Sequence, residues 1–344
     1  MVAKVQENGK DRQARLAEVL DALPEATRLR IIESVREHLI SEGRAEQYAL
    51  ILDDAPAADV CSQPAPEKVV QTVYERKAHR RHKIAFGWYG GKFSHLQWLL
   101  PLLPHTNHYC EPFGGSAAVL LNREPSPVET YNDVDGEVVN FFRVLREQTD
   151  DLIRAIALTP FSRQELTLAV GGQTESFPDL ERARRFFVRA RQVRTGLAQT
   201  ASEGRWANCR DTSRAGMAGA VSRWLGSVEG LPAIALRFLR VQIESRPALE
   251  VIRQYDSPGT LFYCDPPYPH ESRTDTKAYK YEMTMPEHVE LARVLRRVRG
   301  KAAISGYRCD LMDELYGDWR SIEAPEKICH SVKKPRTEVL WVNY

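Results

Sequence analysis

From Ile84 to the C-terminus, short apolar stretches alternate with amphipathic ones, and this rhythm limits the fold more than any other feature. "HYCEPF" reads as a strand and "GGSAAVLLNR" opens a helix; "VETYND" reads as a strand and "DGEVVNFFRVLRE" as a helix. After a long interruption come "RVQIES" (strand), "PALEVIRQY" (helix), "TLFYCDPP" (strand), "PEHVELARVLRRV" (helix) and "KAAISGY" (strand), with "WRSIEA" and "TEVLWVNY" as two last strands. Strands separated by helix-length crossovers pair in parallel, so the expectation is an α/β fold with a mainly parallel, doubly wound sheet. Residues 150–237 break the rhythm. They are helix-leaning and arginine-rich, and read as a subdomain inserted into the sheet domain, which then comprises residues 83–149 and 238–344.

The N-terminal part reads differently. Within residues 1–43, Leu16, Val19, Leu20 and Leu23 mark one amphipathic helix, and Leu29, Ile32, Val35 and Leu39 a second, with Pro24 between them and Gly43 at the end. This is a helical extension. Residues 44–82 include the Pro/Ala-rich "DDAPAADVCSQPAPE" and read as a linker, ending in the basic cluster "ERKAHRRHK".

No apolar run approaches the roughly 18 residues of a membrane helix, and no membrane association is expected. The first residues lack the apolar core of a signal peptide. The six cysteines, at 61, 110, 209, 264, 309 and 329, include no C-x-x-C pair, which points to reduced thiols in a cytoplasmic protein without a cysteine-bound metal. The net charge of +2 decides nothing, but its distribution does. Glu181 to Arg240 holds twelve arginines against four acids, and arginine forks suit phosphates and guanine edges. Arg182, Arg185, Arg189, Arg191 and Arg194 lie on or just after a helix-like stretch, "DLERARRFFVRARQVR", with Phe186, Phe187 and Val188 as its apolar anchor. These five arginines are the candidate DNA contacts, the outward-facing ones gripping phosphates.

Three constellations carry chemistry. In "CEPFGGSAAVLL" a strand runs through glycines into a helix, the context of a nucleotide-binding loop. Asp133 closes the next strand nineteen residues after Gly114, placed to take the hydroxyls of a ribose. Glu111 ends the first strand, where it can meet a charged cofactor. The third is Asp265-Pro266-Pro267-Tyr268. Two prolines cannot continue a central strand, because neither donates an N–H. The strand therefore stops at Asp265, at the edge where open α/β sheets bind ligands. An exocyclic base amine is a poor nucleophile, its lone pair delocalised into the ring. The Asp265 carboxylate and the Pro266 carbonyl can together accept both amino hydrogens and favour a pyramidal nitrogen, and Tyr268 can stack on a flipped base.

In these motifs the chain resembles the D12 class (Dam-like) of S-adenosylmethionine-dependent DNA adenine-N6 methyltransferases. The family's W-x-G-G-K is matched by Trp88, Gly90, Gly91 and Lys92, and its E-P-F-x-G-x-G by Glu111, Pro112, Phe113 and Gly115. Its N-D pair is matched by Asn132 and Asp133, and its D-P-P-Y by Asp265 to Tyr268. "ISGY" (304–307) and the terminal "TEVLW" are also similar, and the likeness spans residues 84–344. It implies a Rossmann-like methyltransferase sheet with an inserted DNA-recognition subdomain. S-adenosyl-L-methionine would be held by Trp88, Gly91, Lys92, Glu111, Pro112, Phe113, Gly115, Asp133 and Asp265. Asp265, Pro266, Pro267 and Tyr268 would form the catalytic motif acting on double-stranded DNA, with no metal required. Ala117 replaces the family's last loop glycine, which close packing tolerates. The Y-N-x-x-G-x-F-N-x-P stretch of GATC-reading members is missing near "RWANCRDTSRAGMAG", so GATC specificity is not implied. Rival readings are an N4-cytosine or RNA-adenine methyltransferase of the same fold, or a non-catalytic nucleic-acid-binding protein. Asp265 favours adenine, since N4-cytosine enzymes usually carry Ser there. A homodimer or a cognate restriction nuclease stays open as a partner.

Overall fold

The computed structural model describes residues 83–171, 176–194, 198–214, 216–273, 280–325 and 337–344, all within the unit Gln71–Tyr344. The expected N-terminal helices, the linker at 44–82 and all but the last residue of the basic cluster lie outside the described residues. Among the described residues no helix is long and apolar enough to cross a membrane.

In chain order the elements are α1 (Leu96–Leu99), β1 (His108–Glu111), α2 (Ala118–Asn122), β2 (Val128–Asn132) and α3 (Gly136–Glu147). There follow α4 (Thr149–Ala157), α5 (Arg163–Val170), α6 (Asp179–Arg191), β3 (Ser213–Arg214), β4 (Met217–Ala218), α7 (Gly219–Val228) and α8 (Leu231–Phe238). The chain then returns to the sheet with β5 (Gln242–Glu244), α9 (Ala248–Tyr255), β6 (Thr260–Cys264), α10 (Met285–Leu295), β7 (Lys301–Tyr307), α11 (Asp310–Tyr316), β8 (Arg320–Glu323) and β9 (Glu338–Val342). Side chains mark several starts. Asp135 caps α3 by accepting from Glu137 N–H at 3.2 Å, Ser162 caps α5, and Thr284 with Glu287 forms a capping box on α10.

The seven-stranded sheet has the order β5-β2-β1-β6-β7-β9-β8. β5, β2, β1, β6 and β7 are parallel; β9 runs antiparallel to β7, and β8 antiparallel to β9. This is the expected mainly parallel, doubly wound sheet. Alternate residues serve its two faces, as a period of two requires. Tyr109, Leu261, Tyr263, Ala303 and Leu340 join one apolar core, while Cys110, Phe262, Cys264, Ile304 and Trp341 join the other. α9, α10 and α11 cover the second face.

The first face is covered by α3 together with helices from the region expected to be an insertion. Phe187 of α6 stacks on Phe141 of α3 with ring centroids 5.6 Å apart, and Phe238 of α8 stacks on Phe142 at 4.3 Å. These helices therefore share one core with the sheet. Phe186, Phe187, Trp224 and Phe238 are buried in it, each contributing about 1.5–3 kcal/mol or more of apolar burial. β3 and β4 form a small exposed antiparallel hairpin.

Strand order reverses between β1 and β6. Their connections leave in opposite directions across the sheet, so the C-terminal ends of these two strands flank an open crevice.

Candidate active site

Each side of that crevice receives an acid from the end of a strand. β1 ends on Glu111, and the chain turns through Pro112 and Phe113 into the glycine loop. Gly114 N–H donates to the Asn132 carbonyl at 2.8 Å and Gly115 N–H to Asp133 Oδ2 at 2.8 Å, so the loop is fastened to the end of β2. Gly115 has φ +48°, and an added Cβ would lie 2.7 Å from the Trp88 indole. Both facts demand glycine there. Ala117, two residues on, also occupies the left-handed region, with φ 54°. Sequence reasoning judged this position by packing alone and missed its backbone requirement.

Asp133 has both oxygens engaged, Oδ2 by Gly115 and Oδ1 by Asp135 N–H at 2.8 Å. Burial pushes its carboxyl up to about 6, against the pull of those N–H groups. Glu111 is buried, accepts from the Tyr109 hydroxyl at 2.7 Å, and is pushed up to about 8 by burial.

Across the crevice, β6 ends at Cys264 and presents Asp265. The Lys92 ammonium bridges its two oxygens at 2.7 and 2.8 Å. Oδ1 also accepts from Ser305 Oγ of β7 at 2.9 Å, and the Tyr268 hydroxyl oxygen lies 3.2 Å from it. Lys92 further donates to the Gly90 carbonyl at 2.6 Å and lies 3.4 Å from Glu338 of β9. The cluster holds two carboxylates and one ammonium, so it attracts protons. Burial opposes the charge on Lys92, but Asp265 and Glu338 outweigh it and hold the lysine pKa above its ordinary value. Burial likewise raises Asp265, with Lys92 opposing.

All nine residues expected around a cofactor line one cavity of about 340 Å³: Trp88, Gly91, Lys92, Glu111, Pro112, Phe113, Gly115, Asp133 and Asp265. Pro267 lines it too, whereas Pro266 and Tyr268 are not among its lining residues. The Tyr268 ring, expected to offer a stacking face, is buried with 4% exposure. Tyr307 stands edge-on to it at 5.0 Å, Lys92 Nζ lies 5.0 Å from its centroid, and its hydroxyl donates to Glu338. Sequence reasoning did not assign roles to Glu338, Ser305, Tyr263, Gln199, Tyr281 or Met283. The stretches "ISGY" and "TEVLW" carried the only signal for Ser305 and Glu338.

The expectation is that at least some arginines of α6 face outward; those it names are half-buried and have partners within the protein. Arg182 pairs with Glu137 at 2.6 Å and with Asp179 at 3.1 Å. Arg185 pairs with Glu181 at 2.8 Å, donates to the Leu168 carbonyl and stacks over Phe177. Arg189 pairs with Glu137 at 3.2 Å and donates to the Ala169 carbonyl. Arg191 reaches the Ile84 carbonyl at 3.5 Å, and burial pulls its pKa down to about 10. The cause is that α6 packs between α3 and α5, so its guanidinium groups, only partly exposed, meet carboxylates and carbonyls of α6 itself and of neighbouring segments. Arg194, beyond the helix, is exposed and donates to Asn208 and the Trp206 carbonyl. Arg205, Arg210, Arg214 and Arg223 are also exposed, on the segment around the hairpin.

A solved structure that resembles the chain is an rRNA methyltransferase, aviRa, from Streptomyces viridochromogenes; the match is 12% identical, covers 83% of this chain and 88% of that one, and has a TM-score of 0.29. None of the curated proteins matches. The family model of the D12 class N6 adenine-specific DNA methyltransferases matches residues 88–331, from the tryptophan on the cavity wall past the aspartate at the end of β6. With that match over most of its length, the chain belongs to the D12 class N6 adenine-specific DNA methyltransferase family.

Proposed function

We propose that this adenine-specific DNA methyltransferase binds S-adenosyl-L-methionine in the cavity between β1 and β6, and that Asp265 and the Pro266 carbonyl receive the N6 amino group of a flipped adenine. The observation that carries this reading is the convergence of Glu111, Asp133 and Asp265, from the ends of three strands, on one cavity. The residues suit such a cofactor. The cavity is of ligand size, the glycine loop in its wall is fastened by Asp133, and Glu111 is a buried carboxyl whose nearest partner is a neutral tyrosine. When bound, the cofactor supplies a methyl group on a sulfonium, already activated for in-line transfer.

The chain's own groups do the rest. Glu111, neutral while burial holds its pKa near 8, gives up its proton when a cation binds beside it and then offers negative charge in a low-dielectric wall, where such charge counts for more than in water. Asp133 holds the glycine loop through Gly115 and keeps lone pairs for ribose hydroxyls. Asp265 accepts one amino hydrogen and the Pro266 carbonyl the other, strengthening as the nitrogen becomes pyramidal. Pro266 and Pro267 keep this turn stiff. Tyr268 meets the base only if its ring turns away from Glu338. For DNA, residues 150–237 are the recognition region, with the exposed Arg194, Arg205, Arg210, Arg214 and Arg223 gripping phosphates in place of the half-buried, ion-paired arginines of α6.

The test is nucleoside analysis of double-stranded DNA, single-stranded DNA and RNA after incubation with the protein and methyl-labelled cofactor. Label in N6-methyladenine from DNA is expected. Label in N4-methylcytosine, label in RNA alone, or no label overturns the reading.

A further inference from the structure

One buried carboxylate at this site has no task in the reading above. Glu338 is 3% exposed, and the sheet explains how it gets there. β9 runs antiparallel to β7, and its first residue, Glu338, pairs with Tyr307, the last residue of β7. A residue at the start of β9 therefore lands on the same edge as the ends of the parallel strands. There it accepts the Tyr268 hydroxyl hydrogen and faces Lys92 Nζ at 3.4 Å.

The same ammonium bridges both oxygens of Asp265. An amine approaching Asp265 meets a carboxylate whose Oδ2 is held by Lys92 and whose Oδ1 is held by Lys92 and Ser305. An amine bonded to Oδ2 shares that oxygen with the ammonium, so its bond strengthens as Lys92 gives ground. A buried ammonium moved off its only anion would be left uncompensated, at a cost of several kcal/mol. Glu338 is a second anion within reach, on the side away from the cavity.

We propose that Glu338 is a positioning residue for the methyl transfer: it anchors Tyr268 and shares the Lys92 ammonium, so that Lys92 slides toward it and leaves a carboxylate oxygen of Asp265 to the amino hydrogens of the base. The inference rests on the role proposed above for Asp265. Nothing covalent changes in this step; the ammonium exchanges one carboxylate oxygen for another while staying protonated. The neutral donor Ser305 keeps Asp265 in place meanwhile.

Glu338→Gln tests it, because the amide oxygen still accepts from Tyr268 but the charge is gone. Single-turnover methylation of DNA, with cofactor and DNA saturating, should slow about tenfold or more, while the affinities for cofactor and DNA stay within about twofold. In a Lys92→Met background the same substitution should cost far less, since no ammonium remains to be shared. Equal penalties in the two backgrounds overturn the inference, as does a wild-type rate for Glu338→Gln. Should Glu338→Gln lose its cooperative thermal transition, Glu338→Asp replaces it; the retained charge should keep most of the rate, and a loss to the level of Lys92→Met overturns the inference. A wild-type rate for Glu338→Gln together with a crippled Asp265→Ala removes only the role of Glu338. A wild-type rate for Asp265→Ala removes both readings.

Discussion

At the scale of single residues, the site is a set of acids held in unusual states. In the role proposed for it, Asp265 is an acceptor whose contribution grows as the amine becomes pyramidal, so Asp265→Ala should lower turnover by on the order of a hundredfold or more. DNA affinity, measured on the same duplex by equilibrium binding, should change little; near-normal methylation by this variant contradicts its role. Asp133→Ala removes the acceptor for the Gly115 and Asp135 amides and a partner proposed for the cofactor. Cofactor affinity by calorimetry should fall by about 1.5–3 kcal/mol. Ala117 can be improved upon. Its left-handed backbone costs an alanine about 1–2 kcal/mol that a glycine escapes, so Ala117→Gly should raise the unfolding free energy, less the extra flexibility of glycine in the unfolded chain. A lower denaturation midpoint for Ala117→Gly would mean that the Ala117 methyl group, buried in the core, matters more than its backbone.

At the scale of elements, α6 shows how a basic sequence becomes a structural helix. Its apolar residues Ala183, Phe186, Phe187 and Ala190 face the core, and this orientation carries the flanking arginines against α3 and α5. Arg182 and Arg189 converge on Glu137, two residues beyond the cap of α3. Arg189→Ala should therefore cost stability, about 1–3 kcal/mol by denaturant unfolding, with the salt dependence of DNA binding unchanged. The exposed Arg214 of β3 should behave in the opposite way. Arg214→Ala should leave stability within about 0.5 kcal/mol and flatten the log–log salt slope by about one unit. A flatter slope for Arg189→Ala and an unchanged one for Arg214→Ala would reverse this assignment.

At the scale of the whole molecule, the sheet gathers residues distant in the chain, and its stability should register their burial. Glu111 titrates near 8 in the folded protein instead of near 4.5 because burial disfavours its charge. A raised carboxyl favours the folded state while it is protonated. That contribution is complete below about pH 4.5 and is lost as pH rises toward 8, at no more than about 1.4 kcal/mol per pH unit. Unfolding free energies measured from pH 5 to 8 without cofactor should fall less steeply for Glu111→Gln than for wild type; identical slopes count against a buried neutral Glu111. Much was legible in the sequence alone. Alternating apolar stretches, prolines after Asp265 and glycines after Glu111 act over a few residues, through chain stiffness and periodicity. They were enough to mark the strands and their ends and to single out Glu111, the glycine turn, Asp133 and Asp265, while Trp88, Gly91 and Lys92 came only from the family resemblance. The fate of polar side chains was not legible. Glu338 reaches Tyr268, seventy residues away, only because β9 joins the sheet antiparallel, and Lys92 reaches Asp265, 173 residues away, only because the turn before α1 folds onto the end of β6. The α6 arginines follow the same rule. A sequence gives their charge, but only the packing of helix on helix decides whether that charge meets a carboxylate or the solvent.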